Sequence, residues 1–324
     1  MKTALKRVTQ ILWLMARGLS WLCWWLCGCF LSSQAQAFCS AQTPAAMNFG
    51  SAQPSTMVRS SQLPANSSVL IDCTRVINIA LISSDVIHYQ VTASSNNFRL
   101  RNGSFYIPYQ LSSQANFAVV LSAVGQGYSN MSFTLLNIIG GQDIQVPLYA
   151  RTLPTNIASG TYTDQLTLHF TGRYCRLAVA AVCVGFEDLN STVNLQLSLT
   201  VDRSCALTVP ATHHFGTVAD ISNLADFRLQ LQVDCTLSES YQVHIDNGDH
   251  FSGASRRLFN GTSQYLWYDL FHPDGSTLLS DSSRLQKAGL GSVEVIEPRL
   301  RLQSGQLTPA AGTYRDTVRV VVTY

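Results

Sequence analysis

Cysteine is the residue type in this 324-residue chain best suited to covalent chemistry, and its spacing argues for cross-links. Cys23, Cys27 and Cys29 lie in an apolar N-terminal stretch, which leaves Cys39, Cys73, Cys175, Cys183, Cys205 and Cys235. None of these six forms the Cys-x-x-Cys spacing that delivers two thiolates to one zinc ion, so no zinc site is expected. Six cysteines in an exported chain imply disulfides, with about fifteen possible connectivities. Other candidates for chemistry are weaker. His213 and His214 are adjacent, and neighbours on a strand point to opposite faces, so they do not share a metal. Asp246-Asn247-Gly248-Asp249 resembles a calcium loop only faintly, lacks its ligand spacing and reads as a turn. Gly-x-Ser-x-Gly, His-Glu-x-x-His and phosphate-cradling glycine loops do not occur. The residues therefore predict no enzyme, no cofactor and no metal.

The N-terminus indicates export. Lys2, Lys6, Arg7 and Arg17 form a basic region, Leu19 to Leu31 is apolar, and Ala35-Gln36-Ala37 has the small residues of a cleavage site. These features predict a signal peptide over residues 1–37, cut before Phe38. A lipoprotein signal is the alternative, since Leu26-Cys27-Gly28-Cys29 loosely resembles a lipobox. The whole chain carries 21 basic and 19 acidic residues, a formal net charge of +2. Four of the basic residues leave with the leader, so the mature charge is −2. Such a chain lacks the basic surplus of a nucleic-acid binder.

The elements that must carry these residues are strands. Beyond the leader no sustained helical periodicity occurs, and short apolar runs alternate with Gly, Ser, Asn and Pro turns, the pattern of antiparallel sandwiches. The pattern is written twice. Gly160-Thr-Tyr-Thr-Asp164 leads into one strand and Gly312-Thr-Tyr-Arg-Asp316 into another. Further matches are Asn48-Phe-Gly50 with His214-Phe-Gly216, and Tyr89-x-Val91 with Tyr241-x-Val243. Arg99-Leu-Arg-Asn-Gly to Tyr109 matches Arg257-Leu-Phe-Asn-Gly to Tyr268. In each of this last pair Asn-Gly marks a hairpin turn. The expected fold is all-β, two tandem immunoglobulin-like sandwiches over residues 38–201 and 204–324, joined by Asp202-Arg203. The repeat also selects a disulfide connectivity. Leu70-Ile-Asp-Cys73 and Gln232-Val-Asp-Cys235 are equivalent, which predicts Cys39–Cys73 and Cys205–Cys235 and leaves Cys175–Cys183 to close a hairpin.

The two copies end differently. After the first, the chain makes one more strand in which Val193, Leu195, Leu197, Leu199 and Val201 alternate with polar residues. After the second, no such strand follows Val318, Val320 and Val322. The second sandwich is thus predicted to lack its last strand.

These landmarks resemble the spore coat protein U-like domain: an early disulfide ending in Asp-Cys-Thr, a Tyr-x-Val strand, an Asn-Gly hairpin with Leu-x-Tyr, and a closing Gly-Thr-Tyr-x-Asp strand. The resemblance covers residues 204–324 nearly end to end and the first copy at the same landmarks. It implies a subunit of archaic, Csu-like chaperone–usher pili, in which a chaperone, and then the next subunit, supplies a missing strand by β-strand addition. Here Val318, Val320 and Val322 would form the acceptor edge. With Cys39 so close to the expected mature start, the chain has little to donate. The resemblance then implies a two-domain tip adhesin at the cell surface, partnered by a periplasmic chaperone, an outer-membrane usher and an adjacent shaft pilin.

The first copy carries three apolar insertions. One holds Ile77, Ile79, Leu81 and Ile82. The second, counted as ten extra residues between Leu111 and Val146 relative to Leu270 and Val295, holds Val119, Val120 and Leu121. The third is the hairpin Cys175–Cys183 with Leu177, Val179 and Val182. Surface loops are ordinarily polar, so these residues are expected to cluster at the far end of the first domain and to bind abiotic or host hydrophobic surfaces. Two readings from other classes remain: a glycan lectin using Tyr106, Tyr109 and Tyr128, or a structural coat or matrix protein.

Overall fold

The protein is described by a computed structural model covering residues 39–73, 77–78, 86–129, 142–175, 177–179, 182–183, 186–222 and 224–324. The expected leader, Ile79, Leu81 and Ile82 lie outside these residues. The first half of the chain forms β1 (Cys39–Ala41), β2 (Met47–Asn48), β3 (Gln53–Pro54), α1 (Ser55–Ser60), β4 (Pro64–Cys73), β5 (Ile77–Asn78) and β6 (Val86–Ser94). It continues with β7 (Arg99–Asn102), β8 (Phe105–Ser112), β9 (Gly127–Tyr128), β10 (Gln142–Thr152), β11 (Gly160–Cys175), β12 (Leu177–Val179), β13 (Val182–Cys183) and β14 (Phe186–Asp202). The second half forms β15 (Cys205–Thr208), β16 (Phe227–Arg228), β17 (Leu231–Cys235), β18 (Ser240–Ile245) and β19 (Arg256–Phe259). It ends with β20 (Tyr265–Phe271), β21 (Leu285–Ala288), β22 (Glu294–Ile296), β23 (Arg299–Leu302) and β24 (Val320–Thr323).

β14 holds the first sandwich together. Its alternation turns Val193, Leu195, Leu197, Leu199 and Val201 inward, and all five are buried. It runs antiparallel to β11 along its whole length, from Gly160 opposite Val201 to Cys175 opposite Phe186. Its other edge pairs in parallel with β1 at Cys39–Leu189 and with β2 at Met47–Leu197. β14 thereby joins the face containing β11 and β6 to the face containing β1, β4, β10 and β8, and the strands enclose one continuous core. The second sandwich has no equivalent strand among the described residues. Its ladders stay in three separate sheets, β15-β17-β22, β16-β23-β20-β19 and β21-β18-β24. Its buried residues fall into two small clusters, one around Val233 and Val243 and one around Ile245 and Leu270.

The duplicated motifs specify matching interior contacts. Tyr109 donates from its hydroxyl to Asp164 Oδ2 at 2.7 Å, and Tyr268 donates to Asp316 Oδ2 at 2.6 Å. Asp164 also accepts from Ser94 Oγ and the Asn96 amide, which offsets the cost of burying it. Burial and the neighbouring carboxylate push both phenols upward, so they remain protonated donors. The Asn-Gly hairpin forms as expected, with Gly103 at φ +57° between β7 and β8. Cys205–Cys235 is bonded. Cys39 is also disulfide-bonded and stands opposite Cys73 in the ladder. The side chains of Cys73, Cys175 and Cys183 lie outside the described residues. The ladders correct one alignment. Val69 pairs with Val146 and the equivalent Leu231 with Ile296, so Val146 matches Ile296 rather than Val295, and the second insertion is one residue shorter than the sequence count.

The two halves meet at the end of β14. α1, a short helix that sequence periodicity does not reveal, buries Val58 in the first core and turns Arg59 toward the second sandwich. Arg59 donates from Nη1 and Nη2 to the two carboxylate oxygens of Asp234, at 3.1 and 2.6 Å, and also to the Gly291 carbonyl. Ser55 Oγ lies 2.8 Å from Thr236 Oγ1 and 3.1 Å from Ser204 Oγ. From a second loop Asn156 reaches the Leu290 carbonyl and Ser159 reaches Glu239. Such a bidentate, largely shielded pair fixes direction as well as distance. Arg59→Ala is expected to lower stability by about 1–2 kcal/mol, after discount for partial exposure, and to let the halves reorient. Urea unfolding and small-angle scattering of the full chain check this, and no change in either would show that the joint is held elsewhere.

Candidate functional site

The missing strand leaves an open groove in the second sandwich. Among the described residues β24 pairs only with β18, and β15 only with β17, so each presents a free edge. Their equivalents in the first sandwich, β11 and β1, are the strands between which β14 lies. Along the groove Val318, Val320 and Val322 face the core yet are only half-buried. The corresponding residues under β14, Leu166, Leu168 and Phe170, are fully buried. The repeat also sets the register. Because Leu168 pairs with Val193, Leu166 with Leu195 and Asp164 with Leu197, an added strand would place its apolar side chains beside Val320, Val318 and Asp316. It would run antiparallel to β24 and parallel to β15.

A second feature lies at the opposite end of the first sandwich. β11 stops at Cys175, and the chain then forms a small sheet in the order β13-β12-β5. Leu177 pairs with Ile77, and Val179 with Val182. The backbone therefore brings the first and third apolar insertions together, at the end away from Val201 and the joint. The second insertion is placed differently. Val119 and Val124 are exposed and Val120 is half-buried on a loop beside β6 and β8. The Gly125 amide bonds to Val91, which lies across from Leu168, about 20 Å along β11 from its end. Leu121 is a correction to the expected surface set. It is 3 % exposed and bridges to Leu111 inside the core, because the loop folds back onto β8 through a single pair of main-chain bonds.

A family model for the Spore Coat Protein U domain matches residues 29–169 and 191–321, most of the chain. The chain belongs to that family. Among solved structures, it is similar to the chaperone–tip adhesion subunit pre-assembly complex, CsuC–CsuE, from archaic chaperone–usher Csu pili of Acinetobacter baumannii. The match has 22% identity and a TM-score of 0.53 and covers 88% of this chain and 100% of that one. A weaker likeness, at 11% identity and a TM-score of 0.38, is to the CupB6 tip adhesin from Pseudomonas aeruginosa, covering 88% and 93%. No curated protein matches the chain. The family's immunoglobulin-like, all-β fold is the one found here, in two tandem copies.

Within this Spore Coat Protein U frame the tyrosines expected of a lectin pocket do not converge. Tyr109 is 2 % exposed and committed to Asp164, so it lines no surface. Tyr128 is half-buried and accepts from Gln114, and Tyr106 lies under two arginines on another face. The Asp246 loop is a turn closed from within, with its carboxylate accepting from the Gly248 and Arg319 amides. His213 packs against Phe215, whose ring also meets Phe227. Reading residues one at a time missed Asp164 and Asp316. Their repetition after Gly-Thr-Tyr, together with the matching Ile107-Pro-Tyr109 and Leu266-Trp-Tyr268, was the available signal.

Proposed function

We propose that this chain is exported through the periplasm to the cell surface as the tip adhesin of a chaperone–usher pilus. The observation that carries the reading is the groove between β24 and β15, at the place where the first sandwich is closed by its own β14. A periplasmic chaperone fills that groove first, with the usher as assembly platform. The strand of an adjacent shaft pilin fills it in the fibre, by main-chain pairing plus apolar side chains. Likeness to a tip subunit captured with its chaperone supports this assignment. The first sandwich, already complete, is free to act as the adhesive head.

In this reading the small sheet of β5, β12 and β13 is the adhesive end, with Ile77, Leu177, Val179 and Val182 as its apolar residues and Val119 and Val120 contributing from the side. It attaches cells to hydrophobic surfaces, and so starts biofilms, by removing apolar area from water. Replacing Leu177, Val179 and Val182 with Ser or Asn is expected to abolish most adhesion to plastic while leaving fibre assembly intact. Adhesion assays alongside a count of surface fibres check this. Undiminished adhesion by the variant, or full inhibition of the wild type by a simple free sugar, would refute the hydrophobic reading and favour a lectin.

A further inference from the structure

A cationic face on the first sandwich has the architecture of a carboxylate site and lacks the carboxylate. Arg99 and Arg101 on β7 and Arg151 on β10 all project from the outer face of neighbouring strands β7, β8 and β10. Each guanidinium lies against an aromatic ring. Arg99 and Arg101 are 4.5 and 5.6 Å from the centroid of Tyr106, and Arg151 is 4.4 Å from that of Phe117. Their Nε atoms are occupied by the Asn96 carbonyl, the Gly103 carbonyl and Gln110 Oε1. None of the three forms an ion pair among the described residues. The acidic residues of β4 and β10, Asp72 and Asp143, stand at the far end of the ladder from Arg151.

The second sandwich shows what such an arginine binds. With Tyr109 equivalent to Tyr268, the ladders align Arg99 with Arg257, Tyr106 with Tyr265, Gln110 with Asp269 and Arg151 with Arg301. Arg257 lies 4.1 Å over Tyr265, as Arg99 does over Tyr106, and Arg301 lies 4.5 Å over Phe271, a ring from a different position than the Phe117 beside Arg151. There, however, Arg301 donates from Nε and Nη2 to both oxygens of Asp226, each at 2.7 Å, while Asp269, its neighbour across the ladder, accepts from Gln303. In the first copy Pro64 stands opposite Arg151 where Asp226 stands beside Arg301, and Gln110 replaces Asp269. Both internal carboxylates are gone while the stacked guanidiniums remain. Arg101, whose equivalent is Phe259, adds a third cation.

We propose that this face binds an acidic polysaccharide, a chain of uronate sugars, through bidentate pairing of its carboxylates with Arg151 and Arg99. Contact with the rings restrains the guanidiniums, which suits bidentate carboxylate recognition. A polysaccharide fits better than an acidic peptide because the face is an open sheet surface. Gln110, Tyr149, Asn66 and Ser68 line it and can take sugar hydroxyls. The inference does not depend on the pilus reading.

The test uses the full mature chain, purified from the periplasm, on immobilised polygalacturonate, dextran, dextran sulfate and poly-glutamate. Wild-type protein is expected to bind polygalacturonate best, to release it with rising salt and to ignore dextran. Gln110→Asp places a carboxylate across the ladder from Arg151 without removing an arginine. It should weaken binding about tenfold, the effect of withdrawing one charge-assisted pair. Arg151→Gln should do the same, and both variants should keep the wild-type unfolding midpoint, since both positions face outward. Failure to bind polygalacturonate, or unchanged binding by folded Gln110→Asp, would overturn the proposal. Equal retention on dextran sulfate would reduce the face to general anion adsorption, and preference for poly-glutamate would make it a peptide site; either result overturns the uronate assignment.

Discussion

A fragment of residues 204–324 is expected to fail to form a stable monomer and to be rescued by a strand with the pattern of Val193–Val201. In the first sandwich that strand buries five aliphatic side chains, each almost fully. At about 1.5–3 kcal/mol apiece they contribute roughly 8–15 kcal/mol gross, an upper figure because the unfolded chain already hides some apolar surface. Net domain stability is typically about 5–15 kcal/mol, so losing such a strand is enough to unfold a sandwich. The second sandwich compensates in part with Cys205–Cys235 and with its docking to α1, both of which hold the β15 side. Neither covers Val318, Val320 and Val322. Appending the sequence of residues 190–202 after Tyr324 through a flexible linker should raise the unfolding midpoint of the full chain and merge its transitions. Circular dichroism of the isolated fragment decides the matter, because a cooperative, concentration-independent transition without any partner would show that the groove needs no strand.

Leu197→Asp is expected to unfold the first sandwich. Leu197 is 1 % exposed and stands opposite Asp164 on one side and Met47 on the other. A second carboxylate there would face one that is already buried. The donors nearby, Tyr109, Ser94 and the Asn96 amide, are committed to Asp164. The new group would be unsatisfied, and it would repel Asp164 if ionised. The expected cost exceeds about 4–5 kcal/mol, the range reached when an unpaired charge enters a core. Leu197→Ala, which leaves only a cavity, should cost about 2–5 kcal/mol and keep the fold with a lower midpoint. Thermal unfolding of both variants checks the difference. If the aspartate variant were no worse than the alanine one, β14 would not be closing the core.

Much of this was legible in the sequence because each signal was local or written twice. Alternation in Val193–Val201 needs only the two-residue period of a strand, and it showed which side chains would be buried. Asn102-Gly103 needs only a backbone that tolerates positive φ. The duplicated Asp-Cys contexts selected Cys205–Cys235 out of the available pairings. Leu121 was misread because apolar character in a loop does not say which way the loop turns. Its bridge to Leu111 comes from the loop folding back onto β8, a contact between residues ten apart that no periodicity encodes.

The sequence by itself determined the alternating strands and the two copies, since hydrophobic period and repetition are properties of neighbouring residues along the chain. Only the tertiary structure decided which edges are left open, because an edge is defined by the strands beside it, and those come from distant segments. It also decided that Arg59 belongs to a joint and Arg151 to an open surface. Arg59 lies on the short α1 and Arg151 near the end of β10, and their chemistry differs because Asp234 is brought to one while, among the described residues, no carboxylate pairs with the other.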